Sequence, residues 1–256
     1  MGTPLTITAK AVSQGRRKST LQVCCIAVLA WMGSGAVVRV HADDRPFLRT
    51  THAMAVDGDD GWEVSSTLVA NRQGQALSLQ IEHELSPTQR LEVEFGGSTR
   101  ELAPEPEQGL RLRSLWMSSD EHGWGLATKV GVEPRRNNAE RGDRWQALSV
   151  VSLPLLQGRW WLHANLGWQW QRSGIHTASR TTLSSVATHF VLSPEQWLYA
   201  ETAMAADGSD RLIHMGWRQW LKPHKWALDM GVGRQRALEH PGEFIAINLS
   251  FFDLNF

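Results

Sequence analysis

The chain has 256 residues, 42% of them hydrophobic and 20% charged, with 26 basic residues balanced by 26 acidic ones and two cysteines. This length suits one large domain or two small ones. The balanced charge offers no basic surface for nucleic acid, and two adjacent cysteines build no disulfide framework.

The first segment reads as a leader rather than as part of the fold. Lys10, Arg16, Arg17 and Lys18 precede the apolar stretch CCIAVLAWMGSGAVV, which is followed by the small-x-small site Val40-His41-Ala42. A basic head, a short apolar core and small residues at a cleavage point describe a secretory signal peptide over residues 1–42. A membrane anchor is disfavoured because the run is short and carries Gly, Ser and Arg39. Cys24 and Cys25 leave with the leader, so the exported chain relies on something other than disulfides. Five of the basic residues and none of the acidic ones leave too, which gives the remaining chain a net charge of −5. No later apolar stretch is long enough for a helical span. Residues 43–61, ADDRPFLRTTHAMAVDGDDG from Ala42 onward, are too polar to cross a membrane; they either enter the interior of a barrel or lie in the periplasm.

From Trp62 to Phe256 the apolar period is two. Twelve segments of about ten residues follow one another, near 62–70, 75–85, 88–98, 109–118, 123–133, 143–154, 159–170, 180–192, 195–205, 211–221, 224–235 and 243–256. In 75–85, Leu77, Leu79 and Ile81 oppose Glu82 and Glu84. In 88–98, Leu91, Val93 and Phe95 oppose Glu92 and Glu94. Arg111 and Arg113 share a face in the fourth segment, and Lys129 opposes Val130 in the fifth. In the seventh, Trp160, Leu162, Leu166 and Trp170 oppose Trp161, His163 and Asn165. In the eighth, Val186, Phe190 and Leu192 face away from His189. In the eleventh, Trp226, Leu228 and Met230 oppose Asp229. The sixth segment admits two phases, with either Trp145, Ala147 and Val151 or Leu148 and Val150 outward. Strands this long suit a tilted crossing of hydrocarbon, whereas strands of soluble sandwiches are about half that length. Short turns, several holding Pro, alternate with longer polar loops, as at the two rims of an outer-membrane barrel, and an even strand number puts both chain ends at the short-turn, periplasmic rim.

The expected fold is therefore all-β: a transmembrane antiparallel up-and-down β-barrel of about twelve strands over 62–256, in the outer membrane of a Gram-negative bacterium. Trp62, Trp124, Trp145, Trp160, Trp170 and Trp226 lie near strand ends, where indole rings form a girdle at the headgroup level and contact outer-membrane lipids; Trp197, Trp217 and Trp220 share that placement. The last strand must close on the first, because no edge is tolerated in lipid. Its terminal aromatic, Phe256, resembles the C-terminal signature read by the barrel-assembly machinery. Phe252 and Leu254 share the parity of Phe256, but Ser250 and Asn248 at the same parity do not continue the apolar face, which switches between Phe251 and Phe252, so a bulge is expected there.

Arg45-Pro46-Phe47, Thr50 or Thr51, Gly58 and Gly61, and Glu63 stand where a group of bacterial outer-membrane barrels, including the family named for the MetA pathway of phenol degradation, carries an R-P-[FL]-x-T segment, a Gly-rich turn and a strand starting near a Glu. The chain resembles that family, although Thr51 and His52 replace its paired Asp. The resemblance implies an outer-membrane protein with a transport role and no defined substrate.

Function must reside in the interior. Glu82, Glu84, Glu92 and Glu94 would face Arg111, Arg113 and Lys129, with Asp229 further round. This arrangement reads either as a charged conduit for small polar solutes or as a salt-bridge network that seals a narrow barrel. A lipid hydrolase is the rival class, with His163, Asn165, His189 and Ser185 as polar groups that could meet inside. A surface-binding barrel is disfavoured by short loops. No phosphate or dinucleotide motif is present, so no cofactor is expected. No metal site is expected either, because the histidines are scattered and His83 alternates faces with Glu82 and Glu84.

Overall fold

The structure is a computed structural model that describes residues 46–54, 61–72, 74–99, 108–134, 141–173, 177–237 and 242–254. The leader expected over 1–42 and the terminal Phe256 lie outside these residues. Twelve antiparallel strands form one closed sheet: β1 (Trp62–Asn71), β2 (Gly74–Ser86), β3 (Gln89–Thr99), β4 (Gln108–Met117), β5 (Gly125–Glu133), β6 (Arg141–Leu155), β7 (Trp160–Ser173), β8 (Thr177–Ser193), β9 (Gln196–Ala205), β10 (Asp210–Lys222), β11 (Trp226–Ala237) and β12 (Gly242–Leu254). Each strand pairs with its sequence neighbours, and β12 closes on β1 through pairs such as Leu68 with Ile247. No helix among the described residues is long and apolar enough to cross a membrane.

The alternation inverts the arrangement of a soluble protein. Leu77, Phe95, Leu110, Val130, Val186, Leu198, Met215 and Ile245 are exposed on the outer wall, and Leu166 is 60% exposed. Glu82, Glu92, Arg113, His163, Glu201, Arg218 and Asp229 are buried on the inner one. Only a hydrocarbon environment satisfies such an exterior, and closure is what leaves the backbone without an unpaired edge.

Trp62, Trp124, Trp145, Trp160, Trp170 and Trp226 are all exposed. Trp62, Trp124, Trp160 and Trp226 stand beside the rim that holds both ends of the barrel chain, and Trp145 and Trp170 stand toward the other. Neighbouring indoles find polar partners on the same surface: Trp116 donates to Thr128 Oγ1 at 3.0 Å and Trp160 to Thr188 Oγ1 at 2.5 Å. The Arg180 guanidinium lies 5.0 Å from the Trp168 ring, a contact that suits a rim where charge reaches water. His83 stacks on Trp62 at 4.3 Å, away from Glu82 and Glu84.

Several expectations are corrected. Trp197 and Trp220 belong to the interior, where they pack with Val191, Ala227 and Phe252. Phe252 therefore keeps the inward parity of Ser250. The bulge follows it: Val64 pairs with Phe251 but Trp62 pairs with Leu254, and the extra residue on β12 includes Asp253 at φ 52°. In β6 the phase with Trp145 outward is the one adopted, and Leu148 and Val150 turn inward against Ala53 and Ala127. That part of the inner wall is apolar because it meets protein rather than water. The connection after β4 is not a short turn; it holds a one-turn helix, Ser119–His122, stopped at Gly123 in the left-handed region (φ 73°). At the opposite rim Asn71 pairs directly with Gly74, so turn length distinguishes the rims poorly. Between β9 and β10 the Asp207 carboxylate closes the turn, held below the ordinary range by the Ser209 hydroxyl and N–H at 2.5 and 2.9 Å.

Two inward glycines make room for one ring. Gly216 and Gly231 are directly paired, and a Cβ at either position would collide with Tyr199 on β9, at Gly231 also with His214. The ring covers backbone that glycine would otherwise leave bare, a known means of fixing register in curved sheets.

Replacing Leu166 by Arg places a charge midway along the outer face of β7. It should cost ~2–4 kcal/mol of barrel stability, read as a lower denaturation midpoint of the protein folded into lipid vesicles. An unchanged midpoint would mean that this face does not meet hydrocarbon.

Candidate functional site

The inner wall formed by β1–β6 is a ladder of ion pairs. Arg90 on β3 bridges Glu63 on β1 at 2.9 Å and Glu82 on β2 at 3.2 Å. Lys129 on β5 reaches Glu92 on β3 at 2.6 Å. Gln80 donates to Glu82 at 2.5 Å and to Glu92 at 3.4 Å. Arg111 is held between Glu94 and Glu133, and Arg144 reaches Glu133 at 3.0 Å. The register explains the diagonal links. Glu82 is directly opposite Glu92, and Arg113 lies opposite both Arg90 and Lys129. Like charges in direct opposition repel, so Arg90 and Lys129 find their counter-charges off the direct pairs, Arg90 also on β1 and Lys129 on β3, each past the neighbouring strand. The structure thus brings Glu82, Glu92, Glu94, Arg111 and Lys129 together, with Glu84 buried beside them.

The wall formed by β7–β12 is built differently, from aromatic rings and imidazoles. Trp161, His163, His189 and Trp197 stack in series, with His163 and His189 at 5.2 Å and His189 and Trp197 at 5.0 Å. Asp229 sits with Arg218, joined by two hydrogen bonds of 2.6 and 2.9 Å, and Asn248 donates to the same carboxylate at 2.8 Å. Arg218 has no exposed surface, and its guanidinium lies 5.4 Å from the Trp197 ring and 5.5 Å from Trp220.

Residues 46–54 lie between the two walls. The Glu201 carboxylate accepts three successive main-chain N–H groups, from Leu48 at 2.8 Å, Arg49 at 2.7 Å and Thr50 at 2.5 Å. Asn165, in the orientation its neighbours require, donates to the Thr51 carbonyl at 2.9 Å and accepts from the Thr51 N–H at 2.8 Å. Arg113 donates to the His52 carbonyl at 3.1 Å, and the Ala53 N–H donates to Ser152 Oγ at 2.7 Å. Phe47 fits among Tyr199 at 6.1 Å, His163 at 5.5 Å and His189 at 6.3 Å. Leu48 packs on Leu212, Phe244 and Ala246. Gly125 faces the segment, and a Cβ there would strike the Ala53 carbonyl. Arg49 reaches Asp210 at 3.2 Å, but this pair is half exposed and contributes little.

His163 and His189 do meet, at 3.2 Å, and His163 Nδ1 lies 2.8 Å from Ser152 Oγ. Ser152 and His163 have no exposed surface. The Ser152 hydroxyl accepts the Ala53 N–H, which makes it a strut beneath the inserted segment on the inner face of β6, opposite Gly125. Ser185 lies opposite Asn165 in register. Among the described residues no group of His, Cys, Asp and Glu is arranged to hold a metal ion.

Glu201, Arg218, Arg90, Glu63, Ser152 and His52 were not evident as site residues. The signal that finds the first two is parity: Glu201 is the one charged residue in QWLYAETAMA, on the face shared with Trp197 and Tyr199. A lone charge at an inward position needs an internal partner.

No family model matches the chain. No curated protein matches it either. Among solved structures the barrel is similar to the NanC porin, at 8% identity with a TM-score of 0.60, over 74% of this chain and 98% of that one. It is similar to the KdgM porin at 8% identity and a TM-score of 0.56, over 74% and 98%. A further likeness is to an outer membrane channel from Pseudomonas putida F1, at 12% identity and a TM-score of 0.53, over 83% and 99%. At such identities the shared property is the closed barrel fold of outer-membrane channels. The narrower resemblance to the phenol-degradation family rests on residues 45–63 alone.

Removing Asp229 leaves Arg218 buried without its carboxylate. Asp229→Ala should cost ~3–5 kcal/mol, and Arg218→Met combined with Asp229→Leu much less, measured by chemical denaturation of vesicle-embedded protein. A double variant as unstable as the sum of its parts would show that the two residues act independently.

Proposed function

We propose that the chain is an outer-membrane barrel of a Gram-negative bacterium that conducts small polar or charged solutes and is closed by residues 46–54. The observation that carries this reading is the seat of that segment. It fills an interior whose walls bear ionised and hydrogen-bonding groups, and non-covalent polar contacts hold it there. A barrel whose interior served stability alone could fill it with apolar side chains, which avoids desolvating charge. The fold shared with proteins described as porins supports the same reading. The solute is unidentified. The rim that holds both ends of the barrel chain then faces the periplasm, the exterior contacts outer-membrane lipids, and β12 with Phe256 is the stretch offered to the barrel-assembly machinery.

Loss of Glu201 removes the acceptor for three main-chain donors. In planar bilayers the intact protein should open rarely. Glu201→Ala, or a chain lacking 46–54, should raise the open fraction by at least about tenfold, since hydrogen bonds to a charged group contribute ~1.5–3 kcal/mol each. Baseline current from the variant lacking 46–54 would leave a sealed structural barrel as the better reading.

A further inference from the structure

Each residue from Leu48 to Ala53 presents a main-chain N–H or carbonyl to a barrel side chain: 48, 49 and 50 to Glu201, 51 to Asn165, 52 to Arg113 and 53 to Ser152. The barrel strands are already fully paired with one another and offer no ladder to an inserted strand. These side chains take the place of a neighbouring strand. Such recognition reads the peptide backbone at every one of these positions, whatever the side chain. Side chains add selectivity at four places: the Phe47 pocket between Tyr199, His163 and His189, the Leu48 pocket on Leu212 and Phe244, His52 beside His163 and Arg113, and Ala53 between Ala127 and Val150.

The ends of this track carry opposite charge. Glu201 receives the N-terminal part of the segment, and Arg113 receives the carbonyl of residue 52. A free peptide of about five residues running the same way would bring its ammonium to Glu201 and its carboxylate to Arg113, both charge-assisted contacts. Main-chain contacts supplying affinity and a few pockets supplying selectivity is the general logic of extended-peptide recognition.

We propose that the interior of this barrel is a binding track for short extended peptides, and that residues 46–54 occupy it as a built-in peptide. This rests on the conduit reading above, to which it adds a solute class.

The test uses the variant lacking 46–54, folded in vesicles, and a synthetic peptide with the sequence of residues 46–54, PFLRTTHAM. The peptide should bind saturably and change the emission of Trp161 and Trp197, which stack on the His163 and His189 rings that hold residue 47. Methylating the three backbone nitrogens that correspond to 48–50 should weaken binding at least tenfold, and so should Glu201→Gln. A peptide that keeps Phe-Leu at the second and third positions and His-Ala at the seventh and eighth, and differs elsewhere, should bind within a few-fold. In the intact chain carrying Thr51→Cys, excess free peptide should speed thiol labelling of residue 51 at least threefold, which serves if the shortened variant does not fold.

Equal binding of the methylated peptide, or displacement of the parent peptide by a hexose or a dicarboxylate as effective as any peptide, would overturn the assignment. Conductance of the shortened variant without peptide binding would remove this inference and leave the conduit. Peptide binding without conductance would remove the conduit and leave a peptide receptor.

Discussion

The structure depends on closure of the sheet. With an apolar outer wall, the only places for the charges of strands β2–β5 and β9–β11 are the rims and the interior, and with residues 46–54 seated there Glu82, Glu92, Arg113, Lys129, Glu201, Arg218 and Asp229 are buried. Every ionised group admitted there must meet a counter-charge, a hydrogen-bond donor or an inserted chain. The ion-pair ladder, the Arg218–Asp229 pair among aromatic rings and the grip of Glu201 on residues 48–50 are three answers to this one requirement.

These answers differ in what they resist. Breaking the Arg218–Asp229 pair strands a buried charge, because both partners belong to the wall and neither can leave. Glu201 is bonded to groups that can leave. If residues 46–54 withdraw, water replaces three N–H donors and the carboxylate is solvated in the space the segment vacates. Of the two kinds of contact, only the second can be exchanged at low cost. The wall can therefore stay rigid while its contents change.

Much of the fold was legible in the sequence because period-two alternation is enforced at every position of a strand lying between oil and a polar interior. Strand ranges such as 62–70 and 195–205 differ from the observed ones by a residue or so, since Trp at the rim and Pro or Gly in the turns mark both ends. Legibility failed where the inner wall is itself apolar. Leu148 and Val150 blurred the phase of β6 because they meet Ala53, and Trp197, Trp220 and Phe252 passed for girdle or lipid-facing residues because they pack on an internal arginine. Sequence parity shows which side chains share a face. It does not show whether that face meets water, lipid or another part of the chain.

The same limit applied to residues 43–61. Their polarity excluded a span but left two locations open, since nothing local in LRTTHA distinguishes a periplasmic linker from a chain inside a barrel. The information lay elsewhere, in a single Glu on an otherwise uncharged strand and in a glycine, Gly125, where any larger residue would displace the inserted backbone. A buried main chain that makes no ladder requires side-chain partners on its surroundings. Isolated polar residues on the inward face of apolar strands are the trace such a chain leaves in the sequence of the wall. Read in that direction, Glu201, Asn165 and Ser152 describe the backbone they hold more closely than they describe each other, and an interior built to that pattern is complementary to a peptide whether or not the peptide is its own.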